Sequence, residues 1–145
     1  MRKNTLDLAL ALGLLVALSL ACKGGFTTAN IGSLKISTDD QGKNEAKTFK
    51  PGDKVYAVAQ IANNGGTVQA KYRVLVDDVE GKEAGTPVPG AEKTLDIQGD
   101  RPAIFWVTLP ASGFQNGRYK VEVSMIAYGD QKDQKTGTFE VTGYE

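Results

Sequence analysis

Histidine is absent from this sequence of 145 residues, and cysteine occurs once, at Cys22. Histidine is the commonest general base and the commonest metal ligand in proteins, so its absence counts against most classes of enzyme. A single cysteine has no partner for a disulfide within the chain, so the stability of the folded part must come from packing. We therefore expect no catalytic residue, no bound metal and no cofactor.

The sequence also lacks an excess of charge of either sign. It carries 17 lysine and arginine residues against 17 aspartate and glutamate residues, a formal net charge of zero. Proteins that bind nucleic acids are normally strongly basic. Nucleic acid is therefore not an expected partner.

The N-terminus carries the three parts of an export signal, namely Arg2 and Lys3 at the start, an apolar stretch at 8–20, and small residues after it. That stretch is too short for a helix that spans a bilayer, which needs about 20 apolar residues, so we expect it to be removed. Its end, Leu18-Ser19-Leu20-Ala21-Cys22, resembles the lipobox of bacterial lipoproteins. The resemblance implies that the Cys22 sulfur takes a diacylglycerol, that the chain is cut before it, and that the new amino group is acylated.

Two other interpretations of this segment remain open. One is an ordinary secretory signal cut near a cysteine, and the other is an uncleaved anchor helix, which the short apolar stretch disfavours. Lys23 stands where many lipoproteins kept at the inner membrane have aspartate, so the resemblance implies the outer membrane. The predicted organisation is a signal peptide at 1–21, a lipidated cysteine and flexible tether at 22–30, and one folded domain at 31–145.

Within the predicted domain, apolar and polar residues alternate with period two, and glycine, proline and asparagine mark the turns, which is typical of strands. The clearest strands are residues 54–62 and 68–77, with Asn63-Asn64-Gly65-Gly66 as the turn between them. Other strands are predicted at 93–97, 103–109, 118–128 and 136–142, and residues 34–37 with 48–49 look like one interrupted edge strand.

Strands that bury a single face need a second sheet to cover it, so the sequence predicts an all-β sandwich. Three segments, Phe49-Lys50-Pro51-Gly52-Asp53, Asn63-Asn64-Gly65 and Asn116-Gly117-Arg118-Tyr119, resemble those of immunoglobulin-like and fibronectin type III-like domains of bacterial surface proteins. The resemblance implies a single immunoglobulin-like antiparallel β-sandwich of about seven strands. It also implies that Tyr119 is a tyrosine corner, with its hydroxyl bonded to main chain upstream.

Acidic residues supply the first candidate sites. One cluster follows a predicted strand and consists of Asp77, Asp78, Glu80 and Glu83. Such an oxygen-rich loop can hold calcium, but its spacing does not match a helix-loop-helix calcium loop, and a solvated acidic turn is the favoured interpretation. Asp39 and Asp40 are a weaker case. Paired carboxylates could serve a hydrolase, yet a sandwich of this length promises no cleft.

Trp106 is the next candidate, because the predicted strand around it is apolar on both faces. If Phe105, Val107 and Leu109 point inward, Ile104 and Trp106 face outward and could form a platform for a sugar or a protein. The favoured alternative makes Trp106 a core residue beneath a long connection at 80–92.

Basic residues form a third candidate site. Lys71 and Arg73 lie on the polar face of one strand, and Arg118 and Lys120 on that of another, which is its neighbour in an immunoglobulin-like order. Together they would make a basic strip able to contact phosphates or an acidic protein. An ordinary charged sheet surface is the favoured interpretation.

The sequence thus predicts an exported protein, anchored to the cell envelope by lipid on Cys22, that acts by noncovalent binding, adhesion or scaffolding. The expected partners are the membrane and an envelope protein or glycan. A carbohydrate-binding module that uses Trp106 and Tyr72 as exposed aromatic residues is the main alternative, and a hydrolase is the third.

Overall fold

The computed structural model describes residues 25–145, so the predicted signal peptide and the lipidation site at Cys22 lie outside the described residues. Eight strands are present in this range: β1 Asn30–Ser37, β2 Thr48–Phe49, β3 Lys54–Ala62, β4 Thr67–Asp78, β5 Pro87–Gln98, β6 Pro102–Thr108, β7 Gly117–Ala127 and β8 Asp130–Val141. In residues 25–145 no helix has the length and hydropathy needed to cross a bilayer.

The strands form two sheets that face each other across one apolar core. The smaller sheet has the order β1-β3-β6 and the larger has the order β2-β8-β7-β4-β5. All pairings are antiparallel except that of β2 with β8. The predicted all-β, immunoglobulin-like sandwich is confirmed, with eight strands where about seven were expected.

The two clearest predicted strands have nearly the predicted bounds. In β3 the side chains of Val55, Ala57, Ala59 and Ile61 are all buried. In β4 every second residue from Val68 to Val76 is buried, in the order that period two predicts. Both strands are central in their sheets, which is why their alternation is so regular in the sequence.

The predicted N-terminal edge strand is in fact two strands in different sheets. β1 forms the edge of the smaller sheet beside β3, whereas β2 pairs with β8 at the edge of the larger sheet. The chain therefore crosses from one sheet to the other between them. Phe49 makes this crossing stable, because its buried ring packs edge-on against Phe139 of β8 at 5.8 Å between ring centroids.

The prediction for residues 80–92 as a long connection is wrong, because β5 already begins at Pro87. Pro87, Pro89 and Gly90 conceal this strand in the sequence, since proline cannot donate to a β-ladder. The structure tolerates them because β5 is an edge strand that pairs only with β4. The connection between β4 and β5 is thus limited to residues 79–86.

The two ends of the sandwich differ in what they present. One end, here called the N-terminal end, contains the start of β1 and the turns at 63–66, 99–101 and 128–129. The opposite end, the far end, contains the loops at 38–47, 79–86 and 109–116. The described part of the predicted tether contacts the N-terminal end, because the Thr28 hydroxyl donates to the Asn63 carbonyl at 3.1 Å and Ala29 is buried.

Candidate functional site

An aromatic patch lies on the outer face of the smaller sheet. Tyr56 of β3 and Trp106 of β6 are cross-strand partners, with ring centroids 6.4 Å apart and ring planes 36° apart. Trp106 is 48% exposed, and Tyr56 and Ile104 are half-buried. We define the aromatic patch as Tyr56, Ile104 and Trp106.

The favoured prediction that Trp106 is a core residue is wrong, and the alternative placement is correct. Phe105 points inward and is buried, Leu109 just after β6 is buried too, and Val107 is half-buried. Period two then places Ile104 and Trp106 on the outside. The connection expected to cover Trp106 instead ends in β5, which belongs to the other sheet.

Polar groups surround the aromatic patch. Asp40 and Lys54 line the same shallow depression, whose volume is about 290 Å³. Lys93 of β5 places its ammonium 5.2 Å from the centre of the Trp106 ring, a cation–π contact. A flat apolar surface flanked by a carboxylate and an ammonium can stack on a sugar ring and hydrogen-bond its hydroxyl groups.

Sequence reasoning missed three members of this site, Tyr56, Lys54 and Lys93. Tyr56 lies between the buried Val55 and Ala57 of β3. The period-two alternation of this strand was the available signal, because it places Tyr56 on the outer face. Lys54 begins the same strand and carried no distinctive pattern. Asp40 was considered only as a partner of Asp39, and its place beside Trp106 depends on how the 38–47 loop folds over the sheet.

Tyr72, the second aromatic residue proposed for a platform, is fully buried, so that prediction is wrong. Its ring stacks on Phe105 with centroids 5.1 Å apart. Its hydroxyl donates to the Ala103 carbonyl at 2.7 Å and accepts from the Ala59 N–H at 3.2 Å, so it joins the two sheets. Burial raises the pKa of Tyr72, so the stability it contributes is present below pH 10 and is lost progressively above that value.

The four basic residues of the predicted strip do lie on neighbouring strands, β4 and β7. Two of them are paired with acidic residues: Arg73 Nε lies 2.6 Å from Glu122 Oε1, and Arg118 contacts Asp77. Within residues 25–145, Lys71 and Lys120 make no ion pair. The surface is therefore mixed in charge, as expected for an ordinary exposed sheet face, and does not form a continuous basic strip.

Two residues of the predicted acidic cluster, Asp77 and Asp78, are held by an internal contact, whereas Glu80 and Glu83 make no ion pair within residues 25–145. Asp77 is engaged by Arg118, and Asp78 lies 3.9 Å from the same guanidinium. No group of three or more histidine, cysteine, aspartate or glutamate residues in the described range is placed to hold a metal. Asp39 accepts main-chain N–H bonds from Gln41, Lys43 and Asn44 at 2.6–3.1 Å, which shapes the 38–47 loop.

The Asp39 contacts predict a pH dependence of the 38–47 loop. Hydrogen bonds from the N–H groups of Asn44 and Lys43 hold the pKa of Asp39 below its usual value of 3.8. Because the folded pKa is the lower one, the stabilisation is present above pH 3.8 and is lost as the pH falls through the folded value. In NMR spectra the Asn44 amide should titrate with a midpoint below 3.8. Asp39→Asn should abolish that titration, and a midpoint at or above the usual value would contradict the assignment.

Tyr119 has the geometry expected of a tyrosine corner. Its hydroxyl donates to the Gln115 carbonyl, four residues upstream, at 2.9 Å. Its buried ring lies between Phe114 and Phe139, with centroids 5.0 and 5.8 Å away. This contact ties the loop at 109–116 to the larger sheet and closes the core at the far end.

No protein family model matches the sequence, and no curated protein matches it. Similar solved structures include the alkylpurine DNA glycosylase AlkC of Pseudomonas fluorescens, at 14% identity and a TM-score of 0.55 over 88% of this chain. This chain spans only 34% of that glycosylase. The C-terminal domain of Wzt matches at 13% identity and a TM-score of 0.51, over 84% of this chain and 78% of that domain.

An immunoglobulin-like protein from Pseudomonas aeruginosa is similar over 82% of this chain and all of that one, at 12% identity and a TM-score of 0.46. At such identities a structural likeness shows the fold alone. The sheet topology defines the described chain as an immunoglobulin-like β-sandwich domain.

Proposed function

We propose that this chain is a lipoprotein of the bacterial cell envelope, anchored through acylated Cys22, whose immunoglobulin-like domain binds another envelope component without covalent chemistry. The observation that carries the binding role is the aromatic patch, in which Trp106 is 48% exposed on the outer face of the smaller sheet. Large exposed aromatic residues are enriched where proteins bind partners. The outer membrane is the proposed location, because Lys23 follows the cysteine.

The lipid anchor is supported by the sequence and by the start of the folded chain. Residues 18–22 resemble a lipobox, and β1 begins at Asn30, so the domain begins close behind the cysteine. Each buried methylene contributes about 0.8 kcal/mol, and two or more acyl chains together hold a protein stably on a membrane.

Mass spectrometry of the native protein tests the anchor. We expect an N-terminal peptide that begins at Cys22 and carries the mass of a diacylglycerol and an amide-linked acyl chain. The variant Cys22→Ser should keep its signal peptide and lack this mass. An unmodified thiol, or a mature chain that still begins at Met1, would refute the lipoprotein assignment.

The aromatic patch favours a glycan as the bound component over a protein. Asp40 and Lys54 lie beside Trp106 and Tyr56, so a sugar stacked on the rings would find a hydrogen-bond acceptor and a donor at its edge. The patch is also small, which suits one or two sugar rings better than a protein interface of about 800 Å² on each side.

Trp106 makes this proposal directly testable, since it is the only tryptophan in the sequence. A glycan that stacks on the patch should change the intrinsic tryptophan fluorescence. Trp106→Ala should weaken binding about tenfold, because aromatic contacts contribute about 0.5–1.5 kcal/mol beyond buried area and 1.4 kcal/mol is a factor of ten. Because this variant contains no tryptophan, its loss of glycan affinity is measured by calorimetry instead of fluorescence.

Phe26→Ala is the matched control, since it removes an exposed aromatic ring away from the patch and should leave glycan affinity unchanged. The absence of any fluorescence change across a broad panel of envelope glycans would remove the glycan interpretation. A protein partner would then be sought by cross-linking in native envelopes, with loss of the cross-link in Trp106→Ala as the expected result.

A further inference from the structure

Large exposed hydrophobic side chains are concentrated at the N-terminal end of the sandwich. Three such side chains occur in residues 25–145: Phe26 at 87%, Tyr128 at 68% and Trp106 at 48% exposure. Phe26 lies just before β1, and Tyr128 forms the turn between β7 and β8. Two of the three therefore lie where the chain enters the domain, and only Trp106 belongs to the aromatic patch.

Gly25, which precedes β1, lies against the Tyr128 side chain. Gly25 packs directly on the Tyr128 ring, and a side chain at position 25 would overlap that ring. The adjoining strands are tied together, since the Ile31 N–H of β1 donates to the Asp133 carboxylate of β8 at 2.8 Å. Cys22 lies three residues before Gly25, a span of at most about 10 Å of extended chain.

Tyr128 has a positive φ angle, a backbone conformation that is unfavourable for a residue with a bulky side chain. The turn residues Tyr128 and Gly129 both have positive φ, 54° and 79°. Two-residue hairpins of this kind favour asparagine, aspartate or glycine, and a bulky side chain there is an unfavourable outlier. Since most of the ring is exposed, core packing does not compensate for this conformation. The strained position thus points to a role for the ring outside the fold.

We propose that Tyr128 and Phe26 dock on the headgroup region of the bilayer and hold the domain with its N-terminal end toward the membrane. This inference rests on the proposed lipid anchor at Cys22. Aromatic rings, and tyrosine with its polar hydroxyl above all, favour the interface between lipid and water. The anchor already holds the domain at the bilayer, so the contact of the two side chains with lipid is effectively intramolecular. Two side chains that each bind lipid weakly are therefore sufficient to fix the orientation of the domain.

This orientation places the aromatic patch away from the membrane. Along β3 the residue next to the N-terminal end is Ala62, which pairs with Asn30, whereas Tyr56 pairs with Trp106. Those six residues of strand correspond to about 20 Å. Trp106 would therefore face the space above the lipid headgroups, where an envelope glycan is accessible.

The charges at the N-terminal end indicate a contact that does not depend on anionic lipid. Lys132 lies 3.8 Å from Asp130, and Asp100, which accepts the Asn64 N–H at 2.7 Å, is next to Arg101 in the chain. With Asp133 counted, the described residues at this end supply three acidic groups (Asp100, Asp130 and Asp133) and two basic groups (Lys132 and Arg101), so this end has no excess of positive charge that would select anionic lipid. The occupant of this surface is therefore a zwitterionic lipid interface.

Quenching by brominated lipid tests the proposal on the full acylated protein in phosphatidylcholine vesicles. The single-tryptophan variant Trp106→Phe/Tyr128→Trp should lose most of its fluorescence when the acyl chains carry bromine. The wild-type protein, whose tryptophan is Trp106, should lose almost none. The variant Trp106→Phe/Tyr144→Trp is the matched control, because Tyr144 donates to the Pro110 carbonyl at the far end, and it should also remain unquenched.

Acylation and vesicle flotation are measured on each sample, so the two proposals fail separately. Acylated protein that floats with vesicles but shows no quenching at position 128 would overturn the docking and leave the lipoprotein assignment intact. Equal quenching at positions 106, 128 and 144 would likewise overturn the orientation. Chain that carries no acyl group would overturn the anchor itself.

A stability measurement supplies a second readout. Tyr128→Asn places a residue that accepts positive φ in the turn, so its melting temperature should equal or exceed that of the wild type. A lower melting temperature would show that the ring is kept for packing on Gly25, and would contradict a membrane role.

Discussion

Replacing Tyr72 with phenylalanine should lower the free energy of unfolding by about 2–4 kcal/mol, although it removes one oxygen atom. The hydroxyl of Tyr72 is the partner of the Ala103 carbonyl and of the Ala59 N–H in the fully buried interior. Each main-chain group left unpaired in such a place costs about 1–3 kcal/mol. The phenylalanine ring can keep its stacking on Phe105, so the loss isolates the hydrogen bonds.

Urea denaturation followed by circular dichroism measures this loss. The midpoint should fall while the slope with denaturant stays unchanged, because the surface exposed on unfolding is the same. Tyr128→Phe is the matched control: the same atom is removed from a side chain that is 68% exposed, and the change should stay within about 0.5 kcal/mol. Equal stabilities of Tyr72→Phe and wild type would show that the hydroxyl does not join the sheets.

The second large effect is expected from Phe139→Ala, which should destabilise the domain by about 3–5 kcal/mol. Phe139 of β8 is almost completely buried, and it contacts the rings of Phe49 and Tyr119 at 5.8 Å each. Its removal leaves a cavity between β2, β8 and the tyrosine corner. Because β2 has only two residues, we expect its pairing with β8 to be lost first.

Hydrogen exchange distinguishes this local loss from general weakening. In Phe139→Ala the N–H of Glu140, which donates to the Lys47 carbonyl at 2.7 Å, should exchange faster than amides in the centre of β4. Phe26→Ala removes the same ring from a side chain that is 87% exposed, and should leave the stability unchanged. Uniform acceleration across the sandwich would contradict the role of Phe139 as the anchor of β2.

If the proposed anchor and orientation are correct, the two groups of exposed aromatic residues have separate tasks. Tyr128 and Phe26 would contact lipid at the N-terminal end, and the aromatic patch would face outward from the smaller sheet. A substitution in the aromatic patch should then leave the contact with lipid intact, so the Trp106→Ala variant should still dock on vesicles. The same domain would thus combine a fixed orientation with an accessible binding surface.

The central strands could be predicted closely from the sequence, and the edge strands could not. β3 and β4 have neighbours on both sides and bury one face completely, so selection for apolar residues at every second position is strong. β5 pairs on one side only, and its prolines hide it in the sequence, because proline cannot donate to a β-ladder and is normally excluded from strands. The crossing of the chain from one sheet to the other between β1 and β2 could not be predicted, because the sequence pattern of a strand does not identify the sheet to which it belongs.

The candidate site was predictable only in part. Trp106 was identified as unusual because its strand is apolar on both faces, but which face is covered depends on where β5 lies. Tyr72 and Trp106 are both aromatic residues within strands, yet one is buried and the other exposed. Tyr128 ends the predicted strand at 118–128 and carried no signal of its own, and its proposed role follows only from its φ angle and its contact with Gly25.

The order of residues along the chain was by itself sufficient to determine an all-β sandwich with turns at its glycine, proline and asparagine clusters. That information is local, because alternation and turn chemistry depend on residues within a few positions of one another. The sheet to which each strand belongs, the outward position of Trp106 and the bridging hydroxyl of Tyr72 were decided only by the tertiary structure. Each depends on contact between segments far apart in sequence, and the free energy of burying a side chain depends on which distant segment covers it.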